Sequence, residues 1–306
     1  MSNVSVATKT LAGETGLADA VAAPRRSGQR AWYRALFRQK LALTGAIIVA
    51  VFAVIAIFGP LVAPHGPTEQ FSSLRLTGPT WDNPFGMDEF GRDILSRLLY
   101  GARISFEVGV IAVGISAVVG VVLGLIAGYF GGWLDSLLSL LMDVLFAFPT
   151  ILLAIAIMAM LGNSIGNVMI AIGIVNAPTF MRVVRGSVLS VRQTTYIESA
   201  ISIGASTPLI LRRHVFPNIT APLIVHASLN FAAAVLAEAS LAYLGLGNKP
   251  PSPSWGSMVS SSYSFLQLAP WAAVVPGVAI GITVLGFNLL GDGLRDALDP
   301  RLRSQS

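Results

Sequence analysis

The chain has no cysteine among its 306 residues. That excludes disulfides, thiolate metal sites and cysteine nucleophiles together. Charge is also scarce: 11% of residues are Asp, Glu, Lys or Arg, against about 25% in soluble domains. Water is therefore not the main solvent of this polypeptide. The three histidines, His65, His214 and His226, sit in different regions with no metal-ligand spacing among them, which leaves a hydrolase little to build on. No Gly-Lys-Ser or Gly-Lys-Thr step occurs, so the phosphate-cradling loop of nucleotide hydrolases is missing. Gly245 and Gly247 close an apolar run, not a strand, and lack the third glycine of a dinucleotide fingerprint. The first 30 or so residues have no apolar h-region, so a cleaved signal peptide is not expected. The tail 1–38, rich in Ala, Thr and Gly, is expected to be disordered.

What the chain does have is apolar surface: 54% of residues are hydrophobic and the mean hydropathy is +0.72. A bilayer core of about 30 Å takes about 20 helical residues to cross. Runs of that length lie at Leu41–Val62, Ile104–Phe130, Leu137–Leu161, Ile165–Phe180, Pro222–Leu246 and Trp271–Leu290. The pattern predicts an all-α polytopic membrane protein with six transmembrane helices in one domain, 39–306. The fourth run is short and ends at Pro178.

Six crossings put both termini on one side, and basic residues choose that side. Arg25, Arg26, Arg30, Arg34 and Arg38 precede the first run, Arg182, Arg185, Arg192, Arg212 and Arg213 follow the fourth, and Arg295, Arg301 and Arg303 follow the last. Both ends and the loop 182–221 are therefore expected in the cytoplasm. The net charge of +5 reads as this topology signal, with lipid and not nucleic acid as the surroundings.

Within the loop, Thr195 and Glu198 have capping-box spacing and predict a helix start. Ile197, Ala200, Ile201 and Gly204 recur on one helical face, and Gly204 suits a left-handed end. A second helix is expected to open at Thr207-Pro208 and to stop before Pro217.

Glu198-x-Ala200-x-x-x-Gly204, followed by His214-x-Phe216-Pro217, resembles the EAA loop of permease subunits of ATP-binding-cassette importers. The usual form has alanine at Ser199, and isoleucine and leucine at His214 and Phe216. The segments Phe85–Asp88, Gly91–Arg97, Gly101–Arg103, Leu244–Gly247, Pro253–Gly256 and Gly291–Pro300 are similar to those of the second permease in dipeptide, oligopeptide and nickel importers. This resemblance covers nearly the whole chain from Gln39.

The resemblance implies a type I importer permease in the bacterial inner membrane, paired as a heterodimer with a homologous permease. It implies two separate ATP-binding subunits that hold the ATP and magnesium, so that this chain binds no cofactor and is not an enzyme. Tyr196, Ile197, Glu198, Ala200, Ile201, Gly204, Arg213 and Pro217 would couple it to those ATPases. An external substrate-binding protein would deliver di- or oligopeptides, with nickel and glutathione importers as relatives on the same scaffold.

Acids inside a membrane are costly and mark function by default. Glu238 and Asp143 are the candidates for a translocation path, with interhelical bonding as the alternative. Were they an ion relay, a gradient-driven transporter would need no ATPase. Glu107 sits one turn beyond Arg103, where an ion pair explains it. In the outer segments, Asp88, Arg92, Asp93 and Trp255 are candidate contacts for the binding protein, or else parts of a folded cap. Ser116, Gly120, Gly124 and Gly128 repeat every four residues, a stripe that lets another helix approach closely.

Overall fold

The computed structural model describes residues 39–247 and 251–298, so the tail expected at 1–38 lies outside the described residues. In chain order the helices are α1 Lys40–Val62, α2 Ile94–Phe130, α3 Gly132–Phe146, α4 Thr150–Leu161, α5 Ile165–Arg192, α6 Thr195–Ser202, α7 Thr207–Ile210, α8 Phe216–Tyr243, α9 Trp255–Ser262 and α10 Pro270–Leu298. A π turn at Leu211–Val215 joins α7 to α8, and among the described residues strand pairing is limited to one bridge between Met87 and Asp93.

Five helices are long and apolar enough to cross a membrane, with Thr207–Tyr243 counted as one, and α3 with α4 supplies a sixth if that pair is a broken span. The third run is thus not one straight helix: α3 and α4 meet at 93°. Pro149 caps α4, and a proline disfavours helical geometry in the residue before it. None of the α3 residues is buried, so nothing among the described residues packs the two halves straight.

The fourth run does the opposite. α5 continues through Pro178 to Arg192, because Pro178 is buried against a neighbouring helix that holds the axis. Thr179 Oγ1 donates 2.7 Å to the Asn176 carbonyl in the same turn. Likewise the helix opened by Thr207 does not stop before Pro217. The Phe216 N–H reaches back to the Leu211 carbonyl, widening the turn so that a residue without an N–H is accommodated. Most of the segment expected as a loop at 182–221 is therefore helical.

α2 is the central element and packs most extensively on α5. The small-residue stripe makes this possible. A Cβ on Gly124 would lie 2.8 Å from the Met181 carbonyl oxygen, and one on Gly128 would lie 3.0 Å from that of Arg185. At 37 residues and 1.5 Å per residue, α2 is about 55 Å long, far beyond a bilayer core of about 30 Å. Its first turns therefore rise into the cap formed by 63–93. The aromatic centre of the core is Phe106, Phe231 and Phe287, joined by Trp255 and Ile94. A second cluster binds α4 and α5 to α2 and α8, and a third seats α6 at the opposite end.

Candidate functional site

The short helix α6 is fastened to its own bundle by two residues. Ile197 is 0% exposed and Ala200 7%, packed with Val184, Val188, Ile210, Val215 and Ile219. Full burial of one isoleucine is worth about 1.5–3 kcal/mol, enough to hold two turns of helix that would not persist alone. Ala200, expected on a partner-facing surface, therefore faces inward. The outward face carries Tyr196, Glu198, Ser199, Ile201 and Ile203, the last 85% exposed. Ile203 was not among the residues expected to matter; it falls off the i, i+3, i+4 stripe and only the fold shows it presented.

The expected capping box is absent. Thr194, not Thr195, caps α6, and no side chain bonds its free N–H groups. Thr194 Oγ1 instead donates 2.6 Å to the Val191 carbonyl, which leaves Glu198 exposed. Gly204 does take the left-handed conformation, with φ +78, and Ala205 N–H closes the turn on the Ala200 carbonyl at 3.0 Å. Asn218 Nδ2 donates 3.1 Å to the Tyr196 hydroxyl, tying α6 to the start of α8. Arg213 and Pro217 are exposed beside it.

In the cap, the charged residues fit the second reading offered for them, a folded cap. Asp88, Arg92, Asp93 and Trp255 are all buried and have no surface to offer a binding protein. Asp88 accepts from the Phe90 and Arg92 N–H groups at 2.8 and 2.9 Å and pairs with the Arg92 and Arg97 guanidiniums. Arg97 Nη1 donates 2.8 Å to the Pro67 carbonyl and 3.4 Å to that of Pro251, joining two outer segments that are distant in sequence. Asp93 caps α2, accepting from the Ser96 N–H at 2.8 Å and its hydroxyl at 2.6 Å. Trp255 is 0% exposed; its Nε1–H donates 3.0 Å to the Leu98 carbonyl and its ring meets Phe52 edge-on. What the cap exposes instead is Trp81, at 101%, and Phe90.

The membrane acids separate in the same way. Glu238 is 1% exposed and sealed among α2, α8 and the α9 entrance. Ser105 Oγ donates 3.3 Å to its Oε2, and Oε1 has no partner among the described residues. It faces the interior of this chain. Asp143 lies on the exposed side of α3 and accepts 3.1 Å from Arg182 of α5. One helical turn pair away, Asp135 receives both Arg185 nitrogens, Nη2 at 2.7 Å. Asp143 is thus brought to an interhelical ionic seam, apart from Glu238. Arg103 and Glu107 share an exposed groove beside α1, but no ion pair joins them among the described residues.

The chain is a bundle of membrane-length helices, with one short helix presented at the end of the bundle between two of them. The chain belongs to the family of binding-protein-dependent transport system inner membrane components, whose model matches residues 120–304. Residues 27–79 match the N-terminal transmembrane domain of oligopeptide transport permease C. Among curated relatives, the dipeptide transport system permease protein DppC of Alkalihalophilus pseudofirmus is 49% identical over 272 residues, 89% of this chain and 90% of the relative. The glutathione transport system permease protein GsiD of Escherichia coli O1:K1 is 47% identical over 273 residues, with the same coverage. A solved structure of the MetNI methionine ABC transporter in inward-facing conformations matches with TM-score 0.55 over 66% of this chain and 97% of that one. At 18% identity that likeness speaks for the fold.

Proposed function

We propose that this chain is one of two permease subunits of an ATP-driven importer of di- or oligopeptides, glutathione being one such peptide. Two ATPase subunits, which hold the ATP and magnesium, act on the complex through α6 and its counterpart in a homologous permease. The observation that carries this is the division of α6: Ile197 and Ala200 grip the bundle while Glu198, Ile201, Ile203 and the Gly204 turn are presented outward. A helix held on one face and bare on the other passes a push from outside into α5 and α8. With α3 and α4 taken as one crossing, the ends of α1 and α10 share the side of α6, which the arginines assign to the cytoplasm. The binding protein then meets the opposite end, where Trp81 and Phe90 stand exposed.

Ile203→Asp tests the coupling surface without touching the bundle. Burying one isoleucine at a partner is worth about 1.5–3 kcal/mol, so ATPase association should weaken by roughly ten- to hundredfold while insertion and thermal stability stay unchanged. ATP-driven peptide uptake in proteoliposomes, with the binding protein supplied, reads the result. Full uptake by the variant counts against α6 as the coupling element.

A further inference from the structure

α8 places His226 and Asn230 one turn apart on the same helix. His226 Nε2 lies 3.1 Å from Thr179 Oγ1 of α5 and 2.9 Å from Asn230 Nδ2. Its ring stands edge-on to Phe180, with centroids 4.6 Å apart. One ring nitrogen is thus committed inside the bundle, which fixes the imidazole plane and leaves Nδ1 as its remaining polar atom. His226 lines a groove of about 490 Å³ between α5, α8 and α10. The walls are apolar, among them Val183, Val225 and Leu229, and Arg295 stands toward the end of α10. Arg295 is exposed and makes no ion pair among the described residues.

Apolar walls, a volume between about 300 and 1,000 Å³ and a few convergent polar groups are the marks of a small-molecule site. His226 lies within an apolar run, where an ionisable group is costly and marks function by default, and Arg295, beyond the last apolar run, stands on the same groove. His226 lies ten residues into α8, about 15 Å along the axis, so the groove occupies the inner half of the bundle.

We infer that this groove is an inner solute-contact site that takes the carboxylate end of a peptide. Arg295 supplies the opposing charge and His226, held by Thr179 and Asn230, supplies a fixed hydrogen-bonding group. The assignment rests on the transport reading above.

The absence of native cysteine makes the test direct. His226→Cys is assembled with the partner permease, ATPases and binding protein, and treated without nucleotide with a charged, water-soluble methanethiosulfonate. Modification of this chain is followed by mass. The solute is whichever alanine di- or tripeptide best stimulates ATP hydrolysis, supplied as free acid and as C-terminal amide. The expected result is modification from the aqueous phase, slowed about tenfold by the acid and less by the amide, with Arg295→Gln abolishing that difference. Ile224→Cys, on an exposed face of α8 outside the groove, is the control. Modification that is indifferent to solute, or that occurs only with an uncharged reagent because lipid or the partner permease covers the position, overturns the site. If ATP hydrolysis of the wild-type complex is solute-stimulated in that case, the transport reading survives the loss of the site; a wild-type complex that no peptide stimulates removes the reading itself.

Discussion

Single residues in this chain do more packing than their chemistry suggests. Trp255 fills the space over Gly101, whose added Cβ would lie 3.1 Å from the indole, and caps the Leu98 carbonyl. Trp255→Ala is expected to cost about 3–5 kcal/mol, seen as a lower thermal midpoint of the detergent-purified complex. Trp255→Phe should keep most of the packing and lose about 0.5–1.5 kcal/mol for one hydrogen bond, since the Leu98 carbonyl keeps its helical partner. Equal midpoints for wild type and alanine variant would contradict this account. Glu238 allows a sharper division between packing and transport. Sealed against Ser105, it needs a polar group of its shape but no charge, so Glu238→Gln should support uptake within about twofold of wild type, a difference of less than 0.5 kcal/mol. Abolished uptake with a stable complex would restore an ion-relay role.

At the scale of elements, Pro149 and Pro178 have opposite effects. Pro178 is buried within α5, which Gly124 and Gly128 admit against α2, and packing along that seam outweighs one missing backbone bond. Pro149 has no such seam, and the chain turns by 93° there. Because α3 buries none of its residues, charge does what apolar packing does elsewhere: Asp135 with Arg185 and Asp143 with Arg182 hold α3 on α5. The exposed Asp143 pair contributes about 0–1 kcal/mol, whereas the two-pronged Asp135 pair is the stronger one. Asp135→Arg should therefore raise amide hydrogen exchange across 132–146, and adding Arg185→Asp should restore protection. Unchanged exchange in the single variant would show that α3 is held by other means.

As a whole molecule, the chain is a body on which others act. Its exposed surface includes Leu41, Val51, Leu61, Val118, Leu140, Leu152 and Val278 on several helices, a distribution that suits lipid and helical partners, not water. The purified chain, reconstituted alone with an imposed ion gradient, is expected to accumulate no peptide, and uphill uptake under those conditions would refute dependence on ATPase partners. Much of the fold was legible in advance, since a run of some 20 apolar residues leaves its backbone no partner in lipid except its own helix. The membrane runs, the four-residue glycine stripe and the left-handed turn at Gly204 all follow from local spacing. The facing of polar residues does not. Whether Asp88, Arg92, Glu238 and Trp255 meet a partner or their own neighbours depends on which helix covers them, and the elements that cover them lie far away along the chain: Arg97 spans from Pro67 to Pro251, and Glu238 is closed by Ser105. Periodicity determines that a residue shares a face with others on its helix; only the assembled bundle decides what that face meets. For the same reason His226 and Arg295, which line one groove, and Thr179, which bonds His226 from a third helix, could be connected only after folding brought them together.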